Sequence, residues 1–399
     1  MAVSVTTAGL SRSRPYFRTL PPLSLYVHVP WCVRKCPYCD FNSHALDGAL
    51  PESAYIDALI TDIDQALPLV WGRRVYTIFF GGGTPSLLSP EAIERVLSAV
   101  RARLPVASGA EITLEANPGT VETGKFTAFR AAGINRLSIG IQSFDRTHLQ
   151  KLGRIHDDIQ ARAAAEIARE RFDNFNLDLM YALPAQSLNE ARADLNAALG
   201  FDPPHLSVYH LTIEPNTHFH RHPPEVPDDD TAADMQISIE TLTRERGYEH
   251  YETSAYARPR FRCRHNLNYW TFGDYLGIGA GAHSKLSFAD RIVRQARYRQ
   301  PREYMARALA GSAVQVDDTV APDDVAFEFM MNALRLTDGF ALSLFTERTG
   351  LPLTLVLPML DAAEAKGFIV RDHERARPTE LGRRFLNDLL QMFLPQSVA

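Results

Sequence analysis

The chain has little cysteine, only four residues in 399. A secreted, disulfide-stapled fold needs more of it, together with an apolar signal segment, and the sequence offers neither. It also lacks any run of about 20 apolar residues, so it contains no candidate for a transmembrane helix. Positive charge is not in excess. Forty-two Lys and Arg against 47 Asp and Glu leave a net charge of −5, and no global basic field draws the chain to nucleic acid or anionic lipid. The first 22 residues hold Arg12, Arg14 and Arg18, several Ser and Thr, and no acid. That composition is compatible with an organellar presequence but has no secretory apolar core, and it reads as a flexible leader (1–22) before Pro21-Pro22 opens the first strand. Together these features point to the cytoplasm. Apolar content of 45% is ample for a large core.

Three of the four cysteines stand in one loop, WCVRKCPYCDF, as Cys32, Cys36 and Cys39. Three thiolates can hold three irons of a [4Fe–4S] cube and leave the fourth iron open to a small molecule; ordinary ferredoxin clusters use four cysteines. A structural zinc site is the rival reading. Zinc usually takes four ligands, and the fourth would come from Cys263, His28 or His44. The loop follows the apolar stretch Leu23–Val29, so whatever it binds sits at the C-terminal end of that strand.

Apolar strands alternate with helical patterns over the first two thirds of the chain. Strands are expected at 23–29, 75–80, 111–115, 136–142, 174–180 and 206–213. Helices are expected between them at 53–67, 90–104, 121–132, 157–171 and 188–199. This alternation predicts parallel βαβ units and an α/β fold, a partial (β/α)6 barrel. Period-two patterning places Glu111, Thr113 and Glu115, then Ser138, Gly140 and Gln142, then Asn176 and Asp178, on inward faces. Small polar inward faces suit a lumen that admits a ligand. Further on, a helix is expected at 228–246, one strand at 248–256, a polar-aromatic loop at 263–270 and a glycine-rich turn at 273–281. The barrel region is taken as 23–300 and a mainly helical, winged-helix-like C-terminal domain as 301–399. The latter is expected to have helices at 325–336, 342–349 and 353–366, a strand at 367–371 and a last helix at 380–393. Residues 320–399 carry eight Lys and Arg against eleven Asp and Glu, which argues for a lid or docking role over DNA binding.

Functional residues gather at the C-terminal strand ends of such barrels. Gly81-Gly82-Gly83-Thr84-Pro85 follows the second strand, and a triple glycine lets backbone amides approach a ligand closely. Glu115, Gln142 and Asp178 end three further strands on one face. A carboxylate there can accept two ribose hydroxyls, as in nucleotide sites.

The three-cysteine spacing, with Tyr38 just before the third cysteine, resembles the signature of the radical S-adenosylmethionine (SAM) family, and the resemblance runs from about Pro22 to the C-terminus. It implies that SAM chelates the open iron through its amino and carboxylate groups and is cleaved to a 5′-deoxyadenosyl radical. Within that family the chain is similar to oxygen-independent coproporphyrinogen oxidases and their relatives. There, residues matching Tyr26, Gly82, Gly83, Thr84, Glu115, Gln142, Arg154, Asp178 and Thr212 contact SAM, Arg154 through the SAM carboxylate. A walled lumen would confine the radical and exclude water.

Two branches share this frame. The oxidase pattern continues to a further cysteine two residues beyond the third, where this chain has Phe41. The sequence His265-Asn266-Leu267-Asn268-Tyr269-Trp270 resembles the His-Asn-x-x-Tyr-Trp motif of the haem-chaperone branch. A neutral imidazole is a common axial haem ligand, and Tyr269 and Trp270 offer faces for a porphyrin. Cys263, two residues earlier, could add a second axial or covalent contact, but a lone Cys is more often just a small apolar side chain. The resemblance implies a chaperone that binds haem, hands it to an accepting protein such as a membrane respiratory protein, and takes an electron from a donor for its cluster. The alternative is a radical enzyme that oxidises porphyrinogen.

Overall fold

Alternation of strand and helix builds the body of the protein. The computed structural model describes residues 14–120 and 123–395. Strands β1 (Leu23–Val29), β2 (Val75–Gly82), β3 (Val106–Ala116), β4 (Arg136–Gln142), β5 (Phe175–Tyr181) and β6 (His205–His210) lie side by side in that order, all parallel. Between them run α1 (Glu52–Val70), α2 (Pro90–Arg103), α3 (Thr123–Ala132), α4 (Asp158–Arg171) and α5 (Leu188–Gly200). The start expected for α3, 121–122, lies outside the described residues.

Local chemistry sets these boundaries. Pro90 opens α2 behind Ser89, whose hydroxyl accepts from the amide of Ala92. Asp157 with Gln160, and Ser187 with Glu190, form reciprocal capping boxes on α4 and α5. Helix α4 buries only alanines, Ala161, Ala164, Ala165 and Ala168, so it lies close against the sheet. Leu25, Val27, Ile78, Phe80, Leu114, Leu137, Ile139 and Leu177 fill the layer between sheet and helices.

The partial (β/α)6 arrangement is present and is extended at both edges. Beyond β6 comes an antiparallel hairpin, β7 (Glu249–Glu252) and β8 (Ala255–Ala257), where a single strand was expected; the turn at Thr253-Ser254 divides it. On the other side of β1, β9 (Asp274–Ile278) adds a seventh parallel strand. It is followed by antiparallel β10 (His283–Ser287), β11 (Ile292–Arg297) and β12 (Val314–Thr319). The twelve strands form one open sheet with β12 and β7 at its edges.

Strand β9 occupies most of what reads in sequence as a glycine-rich turn. Gly277 is there because β10 comes close: a Cβ at this position would lie 2.1 Å from the carbonyl oxygen of His283. The loop expected over 263–270 is also ordered, as the helix Arg264–Trp270. Its aromatic residues obscured a helical face, of which His265 and Asn268 are the buried members.

The pattern change after Pro301 does not coincide with the change of core. Helix Pro301–Leu309 packs on α1, where Gln65 donates to the Ala308 carbonyl and accepts from the Ala313 amide, and β12 still belongs to the large sheet. A second apolar core gathers Val325, Phe329, Phe345, Val356, Leu360 and Leu389 around a small antiparallel sheet of Phe340–Ala341, Arg375–Pro378 and Ile369–Arg371. The last helix breaks at Phe385 into Glu380–Arg384 and Leu386–Gln391. Of the expected leader, residues 1–13 lie outside the described residues. The stretch after them is docked, with Phe17 buried in the second core and Tyr16 donating to the Gly350 carbonyl. Among the described residues, no helix is long and apolar enough to cross a membrane.

Candidate functional site

The C-terminal ends of β1 to β6 surround a cavity of about 490 Å³. Its mouth carries Cys32, Cys36 and Cys39, and its lining includes each of Tyr26, Gly82, Gly83, Thr84, Glu115, Gln142, Arg154, Asp178 and Thr212. These residues come from six strands and the loops that follow them, and the fold brings them to one lumen.

The cysteine loop is held from below. Arg34 donates to the carbonyls of Gly153 and Arg154, both at 2.8 Å, and Lys35 donates to the Phe41 carbonyl at 3.0 Å. All three thiols are free and half-buried. Burial pushes the Cys32 and Cys39 thiols up, opposed by hydrogen bonds from Thr84 and Ser43. Of the three side chains proposed in sequence as a fourth metal ligand, His28 and Cys263 are engaged elsewhere, and His44 keeps a buried Nε2 without a partner. His28 shares one ring nitrogen with the Tyr26 hydroxyl (3.1 Å) and the other with the Asn42 carbonyl (2.9 Å). Cys263 is buried with its thiol 3.7 Å from Glu111. Among the described residues, no three His, Cys, Asp or Glu side chains are gathered as they would be around a single ion. The donor set is therefore three thiols open to a cavity, which fits a cubane with one free iron better than a closed tetrahedral zinc.

The glycine run is built for close approach. A Cβ on Gly83 would lie 2.5 Å from the Trp31 carbonyl oxygen, and Gly82 has a φ of +113°. Its amides are already taken: Gly82 donates to Glu115 (3.1 Å), Gly83 to Val29 and Thr84 to Trp31 (both 2.7 Å). The amides of Gly82, Gly83 and Thr84, which the sequence suggested could approach a ligand, are thus bonded within the protein. What the run can still offer a ligand ammonium is carbonyl oxygen.

Arg154 donates to the Gly140 carbonyl (2.7 Å) and lies 3.7 Å from the Cys36 thiol, while its buried Nε has no partner. Asp178 accepts from Ser138 (3.0 Å) and Asn176 (2.7 Å), and burial raises its pKa. Gln142 ends β4 at a φ of +68°, a strained conformation for a side-chain-bearing residue.

Burial, and then the neighbouring Asp178, raise Glu115 to about 8. An unfolded glutamate titrates near 4.3. From about pH 4.5 to 8 the folded chain therefore holds a proton that the unfolded chain has lost, and stability falls as pH rises across that window. Between about pH 6.5 and 8 the ligand-free protein should lose on the order of 1–2 kcal/mol more than a Glu115→Gln variant, which shares every other titrating group. Urea unfolding at the two pH values measures this, and equal losses would remove the assignment.

The motif helix Arg264–Trp270 closes the floor of the same lumen, with His265, Asn266 and Tyr269 facing it. Trp270 does not share that face: it lies under the Arg335 guanidinium, 4.3 Å from the ring centroid, toward the C-terminal body. His265 is 1% exposed and stacks on Phe79 with ring centroids 4.9 Å apart. Thr77 donates its hydroxyl proton to Ser24 (2.7 Å), so His265 Nδ1 is the donor in its 2.7 Å bond to Thr77. The Nε2 lone pair then faces the Tyr269 hydroxyl at 3.2 Å. Burial, aided by Arg136, lowers the His265 pKa to about 3 and keeps the ring neutral.

Sequence reasoning missed Arg136, which lines the lumen beside these residues. The alternation Arg136, Ser138, Gly140, Gln142 contains the signal, because a charged residue on an inward strand face is unusual.

Comparison with known proteins follows the same lines. The radical SAM superfamily matches residues 26–198 and the HemN C-terminal domain matches residues 320–385. The chain is 51% identical over 379 residues to the heme chaperone HemW of Escherichia coli K12, across 94% of this chain and 99% of that protein. It is 32% identical over 381 residues to the heme chaperone HemW of Bacillus subtilis, across 93% and 99%. Among solved structures, coproporphyrinogen III oxidase (HemN) from Escherichia coli superposes with a TM-score of 0.79 at 24% identity, covering 94% of this chain and 90% of that one. At that identity the likeness speaks for the fold alone.

Proposed function

The chain belongs to the heme chaperone HemW family within the radical SAM superfamily, and from that premise we propose that it binds haem beside a SAM-chelating [4Fe–4S] cluster and delivers the haem to an acceptor protein. Membership of the superfamily implies the cluster and SAM. Cys32, Cys36 and Cys39 would hold three irons. When bound, the cluster supplies an open iron and an electron.

The chain's own residues do the rest. The Gly82-Gly83-Thr84 run receives the amino group of SAM, and Arg154, beside Cys36, receives its carboxylate. Glu115, Gln142 and Asp178 hold the ribose from three strands, with Tyr26 and Thr212 closing the sides. His265 offers a neutral Nε2 to haem iron once the Tyr269 hydroxyl turns away, and Asn266 and Tyr269 border it, whereas Trp270, expected from the motif to join them, packs under Arg335 outside the lumen. The acceptor is a membrane respiratory protein met in the cytoplasm, and a separate donor reduces the cluster.

The observation that supports this reading is the convergence of the three-cysteine loop and the motif helix on one lumen. Phe41 supports a chaperone over an oxidase: it is 61% exposed where the oxidase pattern calls for a further thiol. The test is anaerobic. The reconstituted protein should bind haem with a defined Soret band and should not convert coproporphyrinogen III in the presence of SAM and a reductant. His265→Ala should shift the band and weaken binding roughly tenfold, the loss of about 1.4 kcal/mol. Robust conversion would overturn the chaperone reading, and an unchanged band would remove His265 from it.

A further inference from the structure

Arg136 opens β4 and projects into the lumen from its floor, about 20 Å along the strand from Gln142 at the mouth, at 3.3 Å per residue. The residue is 2% exposed. Its side chain has no hydrogen bond or ion pair with any described residue, and its Nε is buried without a partner.

The surroundings make this unusual. Glu111, Asp178, Cys263 and Tyr251 are all near enough to favour its charge, which burial alone would oppose. None is close enough to pair with it. Glu111 is occupied by the amides of Arg264 (3.2 Å) and His265 (3.1 Å) and by the Cys263 thiol (3.7 Å). Asp178 is occupied by Ser138 and Asn176. The nearby carboxylates are therefore satisfied by other donors, and a permanently charged guanidinium is left with its planar fork of donors unused. A buried cation without a partner is costly in a native protein. A ligand that brings its own carboxylate would meet that cost, and a guanidinium is the group suited to take a carboxylate through two parallel bonds.

We infer that Arg136 is a carboxylate-binding site at the floor of the lumen, and that its ligand is a propionate-type side chain of the bound tetrapyrrole. The inference rests on the haem-binding reading above. The carboxylate of SAM is the other source of the same chemistry. Arg154 already stands beside Cys36 at the mouth, and Arg136 lies at the opposite end of the strand, so one amino-acid head group does not reach both.

The experiment uses the full chain with its cluster reconstituted. Haem and haem dimethyl ester, whose propionates are capped, are titrated by Soret absorbance, and SAM is titrated by calorimetry. The wild type should bind haem at least tenfold more tightly than the ester. Arg136→Met, which keeps the volume and removes the charge, should abolish that preference by weakening haem alone, and SAM affinity should be unchanged. Arg136→Lys keeps the charge without the fork and should reduce the preference severalfold; it serves as the readout if the Met variant does not fold. An undiminished preference for haem over the ester in the folded variants would overturn the inference. So would a loss confined to SAM, which would assign the site to the SAM carboxylate. A wild type that binds neither porphyrin would remove the haem-binding reading itself and this inference with it, an outcome distinct from the other two.

Discussion

Cys36→Ala is expected to purify colourless under anaerobic conditions, with iron and labile sulfide falling from about four each per chain to near zero. Three thiols are the whole donor set of the loop, so loss of one leaves two corners to hold a group that needs three. Neither His28 nor Cys263 stands ready to replace it. His28 is bound at both ring nitrogens, and burial holds it neutral, with its pKa lowered to about 4. Cys263 is at the floor with Glu111. The loop itself should survive, because Arg34 and Lys35 fix it through backbone carbonyls and Cys36 is only half-buried. Substitution at such a position changes stability by about 0.5 kcal/mol or less. A normally folded but cluster-free protein is therefore the expected product, and its SAM affinity should fall with the iron. Retention of full iron by the variant, or one zinc per wild-type chain, would sink the proposed centre.

How much of this was legible in the sequence depends on the range of the interaction concerned. The six parallel strands and the helices between them follow from period and capping, both local signals, and α2, α4 and α5 begin where Ser89, Asp157 and Ser187 cap them. The cysteine loop is local too. The failures are long-range. Strand β9 hides among four glycines, Gly273, Gly277, Gly279 and Gly281, and Gly277 is needed because its partner β10 presses on it, a fact that belongs to residue 283 and not to residue 277. The hairpin β7–β8 looked like one strand because its turn, Thr253-Ser254, carries no glycine or proline. The motif helix looked like a loop because seven residues rich in aromatics give too little period to read. In the lumen, the inward faces were readable one strand at a time. Which of those polar groups lacks a partner was not, since Arg136 becomes unusual only once Glu111 and Asp178 are seen to be satisfied by others.

The same contrast between satisfied and unsatisfied charge makes Asp274 a residue whose loss should strongly destabilise the fold. It begins β9, is fully buried, and has four partners: Lys285 Nζ at 3.0 Å, the Ser287 amide and hydroxyl at 2.8 Å each, and the Arg73 guanidinium at 2.9 Å. Lys285 is itself buried, also donates to the Phe272 carbonyl, and stands 4.0 Å over the Phe272 ring, which belongs to the second core. Asp274 thus ties β9 and β10 together, neutralises a buried ammonium and anchors one body of the chain to the other. Burial already works to lower the Lys285 pKa, and Asp274 is the main opposing influence. Asp274→Ala leaves that ammonium unpaired, which should cost about 3–5 kcal/mol of unfolding free energy, visible as a lower urea midpoint for the ligand-free protein. The double variant Asp274→Ala with Lys285→Met removes the stranded charge and should recover a substantial part of the loss, because an apolar side chain in that place has no ion to strand. Additive losses in the double variant would show that the ammonium is not what Asp274 protects. Since β9 lies directly against β1, whose end carries the cysteine loop, the single variant should also lose its cluster faster on warming than the wild type.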